Sequence, residues 1–83
     1  MVNSRSPKRA HQILDCIGLY CPMPVLNTKK EMDKLAIGEI LEILADDPAA
    51  EEDFKAWAKR TGQRILEIEK TDEGMRFLIQ KEK

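Results

Sequence analysis

The chain has 83 residues, 42% hydrophobic and 35% charged, which is enough for one domain with a thin core. Its net charge of −1 argues against a general nucleic-acid-binding protein, because phosphate binding depends on clustered Lys and Arg. No apolar run approaches the ~20 residues that span a bilayer. The N-terminus also lacks the apolar segment of a signal peptide, so we expect a cytoplasmic protein that does not enter the membrane.

The first ten residues differ in charge from the rest. They carry Arg5, Lys8 and Arg9 and no acidic residue, which leaves 11 basic and 15 acidic side chains for the remainder. They show no helical or strand periodicity, and such termini are usually solvated. We therefore predict a flexible basic tail over residues 1–10 and a single domain over residues 11–83.

The predicted elements begin with a short strand at residues 13–16 and a turn at Gly18. From Pro22 the pattern turns helical, and Gly38 is expected to end that helix. Its buried positions are predicted to be Val25, Thr28, Met32 and Leu35. Residues 40–45 then form a nearly unbroken apolar run, which is typical of a central strand.

A second helix is predicted to open at Asp47, with Asp47 as N-cap and Pro48 at the first helical position. Gly62 is expected to stop it, because glycine favours the left-handed conformation that follows many helices. Its buried stripe is predicted to be Ala50, Phe54, Trp57, Ala58 and Thr61.

A hairpin closes the chain. Residues 64–70 are predicted to form a strand with Leu66 and Ile68 on one face, and residues 72–74 a tight turn. On the last strand the inward residues are expected to be Met75, Phe77 and Ile79.

The element order β-α-β-α-β-β predicts an α+β fold, a two-layer sandwich with a mixed four-stranded sheet and two helices on one face. The two helical crossovers favour parallel neighbours for strands one and two and for strands two and three. The other sheet face should then be open, with Ile40, Leu44 and Leu78 pointing outward. Such residues would form a partner or dimer surface, unless loops cover them.

Cys21 lies in the segment Cys21-Pro22-Met23-Pro24, at the predicted start of the first helix. A residue before proline is pushed toward extended backbone, which suits an N-cap. A helix N-terminus favours an anion, so we expect a lowered thiol pKa, with the N–H groups of Met23 and Val25 facing the sulfur. The prolines stiffen the turn. The pattern indicates a nucleophilic or sulfur-carrying cysteine, and a buried structural cysteine is the alternative.

Cys16 is a candidate second thiol, because it could resolve an oxidised or persulfidated Cys21 by forming a disulfide. The alternative is a small buried side chain at a strand end. Two cysteines with His11 fall short of a zinc site. The sequence also lacks phosphate-binding and dinucleotide motifs, so we predict no metal and no cofactor.

Five acidic residues fall within residues 46–53. Acids at this position complement the positive end of the second helix. The alternative is a docking patch for a basic partner, centred on Asp46 and Asp47.

The segment from Leu14 to Val25, LDCIGLYCPMPV, resembles the LDxxGLxCPxP signature of the TusA/SirA family of sulfur-carrier proteins. Gly38-Glu39 and residues 45–49 resemble a second block of that family. The resemblance covers about residues 12–81. It implies a βαβαββ fold similar to the C-terminal domain of translation initiation factor 3.

The same resemblance implies that Cys21 accepts sulfane sulfur as a persulfide from a cysteine desulfurase, a rhodanese or a similar donor. The sulfur would pass to an acceptor sulfurtransferase protein, for tRNA thiolation, cofactor biosynthesis or sulfur metabolism. Met23 stands where the bacterial tRNA-thiolation carrier tends to have an acidic residue, and Gln80 where the family often has arginine. Two other hypotheses stay open at this point: a nucleic-acid-binding or regulatory module, and a redox protein using Cys16 and Cys21.

Overall fold

Six elements follow one another in the predicted order in a computed structural model, which describes residues 11–83. The predicted basic tail over residues 1–10 lies outside the described residues. The elements are β1 (Gln12–Cys16), α1 (Met23–Asp33), β2 (Ile40–Ala45), α2 (Ala50–Thr61), β3 (Arg64–Thr71) and β4 (Gly74–Gln80). Within this part of the chain, neither helix is long and apolar enough to cross a bilayer.

The four strands form one mixed sheet in the order β1-β2-β4-β3. β1 pairs with β2 in parallel, and β4 is antiparallel to both of its neighbours. The prediction that β2 and β3 are neighbours is wrong, because β4 lies between them. The physical reason is composition: β4 carries three consecutive buried residues and needs a partner on both sides, whereas β3 exposes charged residues that suit a sheet edge.

The core lies between the helices and one face of the sheet. Phe54 of α2 packs against Phe77 of β4, with the ring centroids 4.8 Å apart and the ring planes tilted by 49°. The fully or nearly fully buried residues around this pair are Cys16, Met32, Leu41, Ile43, Ala45, Ala50, Trp57, Ala58 and Ile79. The predicted inward positions of α2 and β4 are therefore confirmed, with Thr61 and Met75 only partly buried.

Both helices are shorter than predicted. α1 ends at Asp33, five residues before Gly38, because the N–H of Leu35 bonds to the Met32 carbonyl in a tighter turn at 3.1 Å. α2 starts at Ala50, because the Ala50 N–H first closes a turn onto the Asp47 carbonyl at 2.9 Å. Ala49, not Asp47, therefore occupies the N-cap position. Gly62 does stop α2, in the left-handed conformation with φ = 81°.

A β-bulge changes which residues of β3 face the core. The pairing register with β4 shifts between Ile65 and Glu67, so that Leu66 is the additional residue. The prediction that Leu66 and Ile68 lie on one face is therefore wrong. Ile65 and Ile68 pack against the core instead.

The sheet face opposite the helices is less open than predicted. Strand alternation places Ile40, Leu44 and Leu78 there, as expected. However, Ile40 is only 8% exposed and Leu78 only 2%. Leu78 lies in register between Glu42 and Glu67, and Arg76 pairs with both carboxylates, at 3.7 and 3.4 Å. Charged side chains therefore flank Leu78, and the apolar side chains that this face exposes are Ile13 of β1, which is 61% exposed, and part of Leu44.

Candidate functional site: the cysteine loop

Cys21 lies in the cysteine loop, which we define as residues 17–22, between β1 and α1. Its side chain is exposed. The prediction that Cys21 is the N-cap is wrong by one residue, because the Met23 N–H donates to the Tyr20 carbonyl at 2.8 Å and closes a turn before the helix begins. Pro22 occupies the N-cap position, and the buried Pro24 is the second helical residue. The Cys21–Pro22 peptide bond is cis.

Three carboxylates bind backbone N–H groups of this loop. Asp15 Oδ1 accepts a hydrogen bond from Ile17 at 2.9 Å. Asp46 Oδ1 accepts one from Gly18 at 2.9 Å. Asp47 Oδ2 accepts one from Cys21 itself at 2.8 Å. Since Asp46 and Asp47 follow β2, these bonds tie the loop to the carboxyl end of the neighbouring strand and fix where the thiol lies.

Asp47 is the central residue of this arrangement. It is only 9% exposed, and its second oxygen, Oδ1, accepts a hydrogen bond from the Ala49 N–H at 3.1 Å. Both carboxylate oxygens are therefore engaged inside the protein, which leaves Asp47 little freedom to contact a partner. Asp46 is exposed and stays available for the predicted docking role.

The pKa of Cys21 is raised, which contradicts the lowered pKa expected for a helix start. The main cause is the carboxylate of Asp53, which favours the protonated thiol. Partial desolvation and the negative charges of Asp53 and Asp47 add to the shift. The Met23 N–H, which we expected to face the sulfur, is already bonded to Tyr20.

Asp53 is thus a residue that acts on the Cys21 thiol and that the sequence analysis did not single out. It belongs to the acidic first turn of α2, where the helix dipole alone accounts for a carboxylate. No motif marks it as a neighbour of Cys21, because 32 residues separate the two along the chain. The only available signal was that the predicted fold brings the starts of both helices to the same edge of the sheet.

Cys16 takes a different position from Cys21. Its side chain is fully buried in the core, and burial, with a smaller effect of Asp15, raises the pKa of its thiol. Both cysteines are free. The structure therefore gives Cys16 the surroundings of a core residue, and nothing in them favours the redox hypothesis.

Exposed apolar side chains lie close to Cys21 along the chain. Four large hydrophobic residues within five positions of it are exposed, namely Ile17, Tyr20, Met23 and Leu26. Tyr20 exposes 67% of its surface and Leu26 47%. No group of three or more His, Cys, Asp or Glu side chains in residues 11–83 is arranged to hold a metal ion. His11 accepts a hydrogen bond from the Ile40 N–H through Nδ1, at 3.1 Å.

Comparison with known proteins identifies the family of the chain. The family described as Sulfurtransferase TusA matches residues 12–81, which include every element of the fold. The chain belongs to the TusA family. Among TusA relatives, the sulfur carrier protein TusA of Allochromatium vinosum is 40% identical over 70 residues, covering 84% of this chain and 92% of its own.

A protein of Archaeoglobus fulgidus that is named for a sulfur-carrier role is 52% identical over 67 residues, covering 80% of this chain and 87% of its own. A crystal structure of a SirA-like protein from Desulfitobacterium hafniense superposes with a TM-score of 0.71 at 24% identity, covering 83% of this chain and 93% of the other. That likeness confirms the predicted α+β fold. The TusA relatives support a sulfur-carrier role, which involves donor and acceptor proteins in general.

Proposed function

We propose that this TusA-family chain carries sulfane sulfur as a persulfide on Cys21. The observation that carries the proposal is the contrast between the two cysteines: Cys21 is exposed on a loop fixed by Asp46 and Asp47, whereas Cys16 is buried. A carrier needs one sulfur that a second protein can reach. It also needs that sulfur to return to the same place after each transfer, and the loop bonds serve that purpose.

The transfer is an exchange at sulfur. The Cys21 thiolate attacks the outer sulfur of a donor persulfide, the donor's S–S bond breaks, and a new S–S bond forms on Cys21. The donor leaves as a thiol with the proton that Cys21 lost. Its sulfur is reduced while the Cys21 sulfur becomes oxidised to the persulfide level, so no external oxidant is needed. Delivery to an acceptor thiol repeats the exchange with the roles reversed.

The apolar surface of Ile17, Tyr20, Met23 and Leu26 supports transfer between proteins. Exposed apolar residues around a reactive atom are typical of a contact surface, because a partner that covers them removes them from water. We propose a cysteine desulfurase or a rhodanese as the donor and a sulfurtransferase protein as the acceptor. The outlets of that relay would be tRNA thiolation, cofactor biosynthesis or sulfur metabolism.

The proposal is tested by loading the full chain with a cysteine desulfurase and cysteine, or with a rhodanese and thiosulfate. Mass spectrometry of the intact protein should show a gain of about 32 Da, one sulfur atom, that dithiothreitol removes. Cys21→Ser should show no gain, and Cys16→Ala should load like the parent chain. An adduct of equal size on Cys21→Ser, or none from either donor, would contradict the proposal.

A further inference from the structure

β1 and β3 are the two edge strands of the sheet, and they differ in how they are protected against pairing with a further strand. β3 has a β-bulge between Ile65 and Glu67, and four of its eight residues are charged. Charges and bulges on an edge strand prevent pairing with another chain. β1 pairs with β2 over five residues without a register shift, and its one charged residue is Asp15. β1 is therefore the edge of this sheet that another strand can extend.

The outer side of β1 is open to solvent. In a parallel pair, alternate residues direct their N–H and C=O groups away from the partner, so β1 has backbone groups that β2 does not bind. Among residues 11–83, no strand occupies that side of β1. Gln12, Ile13 and Asp15 are exposed, and Ile13 exposes 61% of its surface. Cys16, the last residue of β1, is fully buried, so the open stretch ends before the cysteine loop.

We propose that the β1 edge pairs with the same edge of a second copy of this chain, which joins two four-stranded sheets into one continuous sheet. The two β1 strands run antiparallel about a two-fold axis at Ile13 and pair over residues 11–15. A two-fold interface requires a surface that is complementary to itself. Residues 11–15 meet that requirement in this register. The proposed dimer does not depend on the carrier function proposed above.

The side chains favour a two-fold axis at Ile13 over neighbouring registers. Ile13 then lies opposite Ile13 of the second copy, with Cβ atoms about 4.5–5.5 Å apart, so that each covers an otherwise exposed apolar side chain. Asp15 of one copy lies opposite His11 of the other. Since His11 Nδ1 accepts a hydrogen bond from the Ile40 N–H, Nε2 carries the proton of the neutral ring and can donate to a carboxylate. An axis at Leu14 would instead place Ile13 opposite Asp15, an apolar side chain against a charge.

The same register keeps the two cysteine loops apart. Cys16 is three residues from the axis, and each residue of a strand advances about 3.3 Å, so the Cys16 residues of the two copies are about 20 Å apart. The cysteine loops follow them on opposite sides of the axis. The pairing therefore does not include Cys21 and does not depend on a disulfide. Five residues a side bury less than the ~1,200 Å² of a stable interface, so we expect a weak dimer, with a Kd of about 0.1 mM.

Sedimentation equilibrium of the full chain in dithiothreitol tests the proposal, at concentrations from about 10 µM to about 1 mM that bracket the expected Kd. The parent chain should form a dimer and no larger species. Cys21→Ser should have the same Kd as the parent chain. Ile13→Lys should weaken dimerisation about tenfold or more, because it places two like charges opposite each other on an edge strand. Since Ile13 is exposed, this variant should keep the stability of the parent chain.

Thr71→Lys is the matched control, because it adds the same side chain at an exposed position of β3, the other edge strand. Three strand spacings, about 14 Å, separate β3 from β1, which exceeds the Debye length at physiological salt. The Kd of Thr71→Lys should therefore stay within about twofold of the parent value.

Cross-linking tests the register. Ile13→Cys in the Cys21→Ser background places two thiols opposite each other, within the Cα separation of about 4.4–6.8 Å that a disulfide allows. Diamide oxidises the two thiols to a disulfide and is itself reduced. It should link this variant about tenfold faster than Thr71→Cys in the same background, whose exposed thiols meet only by collision.

Three results would overturn the inference. The first is a parent chain that stays monomeric up to about 1 mM, which is also the result expected if residues 1–10 or a different protein cover the edge. The second is an Ile13→Lys variant that dimerises like the parent chain, which would assign the contact to another surface. The third is an equal rate of cross-linking for Ile13→Cys and Thr71→Cys.

Discussion

Replacement of Asp47 by alanine should weaken the fold through the cysteine loop. The substitution leaves two backbone N–H groups without an acceptor, those of Cys21 and Ala49. A hydrogen bond to a charged group contributes about 1.5–3 kcal/mol. Ala49 is exposed, so water replaces most of its bond, and the larger loss is at the part-buried Cys21 N–H. We expect the free energy of unfolding to fall by about 2–3 kcal/mol.

For a domain of this size, 1 kcal/mol changes the melting temperature by about 4–8 °C, so Asp47→Ala should melt roughly 10–20 °C lower. Urea denaturation followed by far-UV circular dichroism gives the free energy directly. Asp47→Asn keeps one acceptor oxygen and should lose about half as much. Asp46→Ala, the exposed neighbour with one bond to Gly18, should lose about 0.5–1 kcal/mol.

The reasoning would be refuted if Asp47→Ala unfolded within about 0.5 kcal/mol of the parent chain, the usual range for a surface substitution without special contacts. Glu52→Gln should fall within that range and is the control for loss of a charge. A stability loss at Asp46 larger than that at Asp47 would also contradict it, because the order of burial would then not determine the order of effects.

Three other predictions follow from the burial and charge of individual side chains. Thr28→Val should raise the free energy of unfolding by up to about 1 kcal/mol, because the buried Thr28 hydroxyl has no hydrogen-bond partner among the described residues; a loss of more than 1 kcal/mol in urea denaturation would contradict this. Cys16→Ser should lower the free energy of unfolding by about 1–3 kcal/mol, since the new hydroxyl would be buried in an apolar core. Cys16→Ala, which adds no polar group, is the control. Equal stabilities of the two variants would show that the site is hydrated. The iodoacetamide reaction of Cys21 should have a pH midpoint above that of the urea-unfolded chain, and Asp53→Asn should lower that midpoint. A midpoint below the unfolded value would show that the positive end of α1 affects the thiol more than the carboxylates do. Because the folded pKa of Cys21 is the higher one, its contribution to stability is present below the unfolded thiol pKa and is lost as pH rises through the folded one.

Most of the fold could be predicted because short-range patterns determine it. The apolar spacing of α2 identifies Phe54 and Trp57 as core residues, and Gly62 marks the end of that helix. The alternation on β4 identifies Phe77 in the same way. These predictions are correct because each depends on residues that are close together in the sequence.

The wrong predictions concern features that depend on residues far apart in the sequence. The position of β4 between β2 and β3 depends on which strand is stabilised more by pairing on both sides. The lengths of the connections between strands do not predict this. The bulge at Leu66 depends on how two strands pair. At the site, CPxP predicts a reactive cysteine, but the pKa of its thiol is raised mainly by Asp53, a residue far from it in the sequence.

The inner position of β4 has a consequence for how the protein is made. β2 has only β1 as a partner until β4 pairs with it, and β3 pairs with β4 alone. A nascent chain that has reached Gly62 holds both helices and the cysteine loop but lacks the strand that completes the sheet under them. Two strands and two helices bury too little apolar surface to be stable alone. The carboxylate contacts at Cys21 therefore form only after β4 has left the ribosome, so the thiol of the emerging chain behaves as an ordinary cysteine until then.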